Sequence, residues 1–217
     1  LKYIYLILIT VLSLLLTGCL EGTKTPVYQD VEGAVVATSG AGIAGANIHI
    51  RNNFDPVGFS QQPSAEEFTI GFEAPVDTTY TMNLYRPGAA NPFATFFNDT
   101  LSPGPQEITI PDSLLSNGIL EYEIITGSEF LYSSLFLVNK PDTALIGTTP
   151  LTISDSNGEF ILESDYLALG RPFQNSGGGF EITDSLEIIV ITQDSVITKQ
   201  RLKVEPNQAN FFEVTID

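Results

Sequence analysis

From residue 31 onward, short runs of apolar and polar residues alternate, and clusters of Gly, Pro, Asn and Asp break them. In Asn47-Ile48-His49-Ile50-Arg51, for example, Ile48 and Ile50 fall on one face of an extended chain. His49 falls on the other, with Asn47 and Arg51. The pattern predicts strands near 33–37, 46–51, 67–72, 78–85, 93–97, 106–110, 120–125 and 130–138. Further strands are predicted near 150–153, 159–162, 186–191, 196–204 and 211–216. No amphipathic stretch reaches helical length; 164–169 and 111–115 are expected to make a turn or two at most. Strands at this spacing, separated by turn residues, predict an all-β class built as β-sandwiches rather than α/β units. On this reading His49 sits on a solvent face. The alternative, a catalytic base, has no Gly-x-Ser-x-Gly elbow and no His-Glu-x-x-His pattern beside it.

The first residues differ from the rest. LKYIYLILITVLSLLL, residues 1–16, is apolar with Lys2 as its one charge. It is shorter than the ~20 residues of a comfortable membrane span and has the form of a secretory signal. Leu16-Thr17-Gly18-Cys19 follows and resembles the bacterial lipobox, in which small residues precede a cysteine that is lipidated before cleavage. The resemblance implies that Cys19 is the lipidated N-terminus, that 1–18 is a lipoprotein signal peptide, and that 19–30 is a polar tether. Because no Asp follows Cys19, it further implies the outer membrane, with the membrane face left open. A plain signal peptide with a coincidental cysteine is the alternative. Acyl chains on one residue give stable anchoring, at ~0.8 kcal/mol for each buried CH₂.

Composition narrows the function classes. The 217 residues hold 26 acidic against 9 basic side chains, a formal charge of −17, with one Cys and one His. Nucleic acid is excluded as a partner, since phosphates are held by clustered Lys and Arg. One Cys and one His cannot build a four-ligand Cys/His zinc site, nor one Cys an intramolecular disulfide. No metal or other cofactor is expected. The 43% apolar content is enough for a packed core, so the acidity belongs to folded surface.

Two resemblances organise the strands. Val31-Glu32-Gly33-Ala34-Val35, Gly42-Ile43-Ala44-Gly45-Ala46-Asn47-Ile48-His49-Ile50 and, much later, Thr152-Ile153-Ser154-Asp155-Ser156-Asn157-Gly158-Glu159-Phe160-Ile161-Leu162 carry the first. Together they resemble the carboxypeptidase regulatory-like family, a transthyretin-like sandwich. Asn157-Gly158 is expected to supply the positive-φ residues of a tight hairpin. Between these motifs, Thr78-Thr79-Tyr80-Thr81-Met82-Asn83-Leu84-Tyr85-Arg86-Pro87-Gly88 and Leu115-Ser116-Asn117-Gly118-Ile119-Leu120-Glu121-Tyr122 resemble the Ig-like module of flagellar hook-capping and secretion-sorting proteins. The resemblances imply two nested sandwiches, an outer one from 31–53 plus 140–217 and an inserted one from 54–139. The insert is the most acidic part, with 11 acidic residues against the single base Arg86.

Several residues are candidates for contact or chemistry. Lys199, Arg201 and Lys203 share one strand face, either as a solvated edge or as a contact for anionic headgroups or an acidic surface. Phe93 and Phe96 either form an aromatic contact patch or pack into the inserted sandwich. Asp155-x-Asn157-Gly158 has a fragment of a calcium loop but lacks its further ligands, so a hairpin turn is preferred. The Gly-rich stretch 171–179 is expected to be a flexible loop bordering a surface. The function expected from the whole is a non-enzymatic, lipid-anchored envelope module that binds protein or glycan. A hydrolase using clustered carboxylates and an assembly subunit pairing through a strand edge are the alternatives.

Overall fold

The computed structural model describes residues 26–57, 68–127, 129–175 and 178–217. Its strands in chain order begin with β1 (Val31–Ala37), β2 (Asn47–Val57), β3 (Phe68–Ala74), β4 (Thr78–Tyr85) and β5 (Ala94–Leu101). Next come β6 (Gly104–Ile110), β7 (Gly118–Thr126), β8 (Glu129–Val138), β9 (Thr152–Ile153) and β10 (Glu159–Leu162). β11 (Pro172–Asn175), β12 (Gly178–Ile191), β13 (Ile197–Lys203) and β14 (Asn210–Ile216) complete the series. Among the described residues, helix is confined to one short α1 (Ser164–Leu167) and 3-10 turns at Asp112–Leu114 and Asp142–Leu145. The protein is all-β.

Alternation decides the elements, and pairing decides the sheets. β10-β1-β14 form a three-stranded sheet, with β1 antiparallel to β10 and parallel to β14. β11-β12-β2-β9 form the second sheet, with β13 also paired to β12. Between them lies a first apolar core, with Val31 and Val35 of β1, Ile48 and Ile50 of β2, and Ile188 and Val190 of β12 fully buried. The strands of residues 68–138 make two other sheets, β3-β6 and β5-β4-β7-β8. They enclose a second core around Tyr80, Met82, Leu84, Leu120 and Ile124. The Tyr80 hydroxyl, which cannot stay unpaired when buried, donates to the Val76 carbonyl at 2.8 Å.

The two cores meet at one end of the β7–β8 pair. Ile119 lies opposite Leu137 in register, and both turn away from the second core to join the first. Their neighbours Leu120 and Val138 face the second core. Side chains alternate across a strand, so two adjacent rungs serve two cores.

Two glycines are explained by close approach. Gly33 lies opposite Phe160 in the β1–β10 register, and any Cβ at Gly33 would sit inside that ring. Gly42 crosses the 155–158 turn so closely that its Cβ would collide with the Asn157 carbonyl. In that turn Gly158 has φ +86°, whereas Asn157 stays in the ordinary negative region. The expected two-residue positive-φ turn is therefore corrected to a loop in which Gly158 alone is left-handed and leads back into β10.

Residues 26–30, the end of the expected tether, lie against the first core. The Asn207 N–H donates to the Val27 carbonyl at 2.7 Å, Tyr28 packs on the core, and the Ser164 N–H donates to Asp30 at 2.8 Å. Among the described residues no helix is long and apolar enough to cross a membrane.

Candidate functional site

A concavity opens beside β10. It encloses about 480 Å³ and is bordered by three large apolar side chains that remain in solvent: Ile153 (54% exposed), Ile161 (55%) and Phe211 (61%). Strand register creates this row. Ile161 on β10, Glu32 on β1 and Phe211 on β14 lie side by side on the outer face of the three-stranded sheet. The next rung is Glu159, Ala34 and Glu213. Ile153 comes from β9, the short edge strand of the other sheet. Asp155 and Glu159 add carboxylates at the turn end, and among the described residues no Lys or Arg lines the groove.

Among the described residues, the groove also has a free backbone edge. Glu159 turns its peptide groups away from β1, its N–H donating to the Asp155 carboxylate and its C=O accepting from the Asp155 N–H, both at 2.8 Å. Peptide groups alternate sides along a strand, so those of Ile161 point the same way, off the sheet. β10 ends the sheet order on that side. Asp155 Oδ1 accepts from the N–H groups of both Asn157 and Glu159 at 2.8 Å, which commits that oxygen to closing its own turn. Among the described residues no three His, Cys, Asp or Glu side chains gather as a cation site.

A second polar cluster clamps the segment that follows β8. Arg51 pairs with Glu187 at 2.6 Å and with Asp142, and also donates to Asn139 and to the Lys140 carbonyl, each at 3.1 Å. Lys140 is buried, and its ammonium reaches the exposed Asp112 carboxylate at 2.5 Å. Asn117 exchanges hydrogen bonds with the Lys140 backbone at 2.5 and 3.1 Å. Arg86 is also buried: it donates to Ser116 Oγ at 2.7 Å and the Pro150 carbonyl at 3.2 Å, and stacks 4.7 Å above the Phe93 ring. Burial lowers its pKa to about 10. These cations hold chain segments together; they do not converge on an open cleft.

His49 requires a correction. It does lie opposite Ile48 and Ile50, but that face is covered, and the residue is 1% exposed. It sits beside Ile189 in register, and Leu145 from the segment after β8 caps Ile189 and Ile191. Neither ring nitrogen has a hydrogen-bond partner. Burial first, and the Arg86 charge second, lower its pKa to about 4. A ring sealed from solvent has no route to a substrate, so its position opposes the catalytic-base alternative. The unbroken apolar run Ile188-Ile189-Val190-Ile191 carried the signal that both faces of this sheet are covered.

The other expected contact residues are placed as follows. Lys199, Arg201 and Lys203 are exposed on β13. Lys199 pairs with Asp142 at 2.8 Å, and Lys203 with Glu205 at 3.1 Å and Asp184 at 3.6 Å, so two of the three charges are answered within the chain. Phe93 and Phe96 are half-buried against the second core, as the packing alternative has it. The stretch 171–179 is corrected from a flexible loop to a hairpin: Pro172–Asn175 pairs antiparallel with Gly178–Glu181, while 176–177 lie outside the described residues. Leu16, Thr17, Gly18 and Cys19 also lie outside them. Nothing in the sequence singles out Ile153, Ile161 and Phe211, because one apolar residue on an alternate strand face is common, nor Glu32, one acidic residue among 26. Only register gathers them. No protein-family model, curated protein or solved structure matches this chain.

Proposed function

We propose that the protein is a lipid-anchored outer-membrane lipoprotein that acts as a non-enzymatic binding module, its outer sandwich of the carboxypeptidase regulatory-like kind carrying an Ig-like insert. The groove beside β10 carries the reading. Isolated exposed apolar residues are ordinary, but three of them bordering one concavity with a free strand edge mark a contact site. The polar groups that first suggested chemistry are engaged elsewhere: Asp155 closes a turn, His49 is sealed, and Lys199 is ion-paired. The anchor rests on the lipobox resemblance at Leu16–Cys19.

The test has two arms. Wild-type chain is expected in the outer-membrane fraction and Cys19→Ser in the soluble fraction; equal membrane association of the two refutes the anchor. The released Cys19→Ser chain is expected to rebind envelopes from cells lacking it, saturably, and more weakly when Ile161→Asp is added. Non-saturable rebinding indifferent to Ile161→Asp, or hydrolytic turnover abolished by one carboxylate substitution, refutes the binding module.

A further inference from the structure

Resting on that reading, we propose that the groove takes an extended segment of another protein in which apolar residues alternate with Lys or Arg, added as a strand to the free edge of β10. Three features specify this occupant. The first is the peptide edge at Ile161, which can satisfy the N–H and C=O groups of an incoming strand. The second is the apolar border made by Ile153, Ile161 and Phe211, which accepts every second side chain of such a strand. The third is charge. Among the described residues, Glu32, Asp155 and Glu159 line the groove without a cation, and Glu213 stands in the next rung of the same sheet face.

Charge also selects against other occupants. An anionic membrane surface would face these carboxylates with like charge, at a cost. A second copy of the chain carries −17 overall, and two of the three cations on its exposed β13 strand are engaged by Asp142, Asp184 and Glu205. A cationic segment of another protein meets neither obstacle. Of the outward peptide groups of β10 (Glu159–Leu162), those of Glu159 are held by Asp155, so an added strand pairs through the N–H and C=O of Ile161 while its flanking residues lie along the apolar border.

The experiment uses the full chain in nonionic detergent and three labelled hexapeptides, read by fluorescence anisotropy. One alternates Val with Lys, one alternates Val with Glu, and one is the Val/Lys peptide N-methylated at alternate residues to remove donors from one edge. The Val/Lys peptide is expected to bind saturably and at least about tenfold more tightly than the Val/Glu peptide, given two exposed charge contacts with inverted sign. Affinity is expected to fall with added salt. Glu32→Gln and Glu159→Gln, exposed and isosteric, are each expected to weaken it about two- to five-fold.

Equal binding of the Val/Glu peptide overturns the charge argument, and undiminished binding of the N-methylated peptide overturns strand addition. Concentration-dependent self-association lost on Ile161→Asp makes the occupant a second copy and also overturns the proposal. If the Val/Lys peptide fails to bind while envelope rebinding still depends on Ile161, the occupant is wrong and the binding module stands. If both fail, both fall.

Discussion

Acidification should unfasten this protein at His49. The ring is sealed under the segment that follows β8, without a partner for either nitrogen, and beside the Arg86 guanidinium. A proton added there would place another buried positive charge near Arg86. In the folded state its pKa lies at about 4, against 6.5 for an unperturbed histidine. The folded value is the lower one, so between pH 6.5 and 4 the unfolded chain binds the proton that the folded chain refuses. Stability from this group is therefore fully present above pH 6.5 and is lost as pH falls towards 4. At ~1.4 kcal/mol per tenfold change in proton affinity, the whole span is worth ~3 kcal/mol, of which about 2.5 is gone by pH 4.5. The many carboxylates also titrate in this range, so the informative quantity is a difference. Urea unfolding of wild type and His49→Leu is compared at pH 7.5 and 4.5. The stability of wild type relative to the variant is expected to fall by about 2–3 kcal/mol between the two. A difference that does not change with pH would falsify the argument, because an exposed or well-partnered ring predicts nearly none.

Two predictions concern packing. Gly42→Ala forces a methyl into the Asn157 carbonyl and is expected to cost about 1–3 kcal/mol or more. Gly40→Ala has open space and only an unfavourable φ of +82° to contend with, so about 1–2 kcal/mol is expected; the reverse order of unfolding midpoints would refute the close crossing. Leu137→Ala should cost about 2–5 kcal/mol and, because Leu137 belongs to the first core, should reduce amide hydrogen-exchange protection in β1 and β2 as well as β8. Unchanged protection in β1 and β2 would separate the two cores.

Local chemistry determined most of the strands, but not the hairpin of Pro172–Asn175 with Gly178–Glu181, whose composition reads as a loop. Thr78–Tyr85 and Glu159–Leu162 were legible to the residue, because period-two alternation and the Gly and Asn that end it act within a few residues. The same logic placed His49 opposite Ile48 and Ile50. The acidic surface, the lipobox resemblance and the expectation that Phe93 and Phe96 pack inward also came from the sequence.

What covers each face was decided only by the tertiary structure, because alternation says which side chains share a side and nothing about what approaches that side. His49 became buried when Leu145, nearly a hundred residues away along the chain, settled over Ile189. Lys199 ceased to be a free cation when Asp142 was brought within 2.8 Å by the clamp on Arg51. The groove beside β10 depends on the same physics. Glu32, Ile161 and Phe211 are remote in sequence, and the hydrogen-bond register of three strands alone sets them in a row.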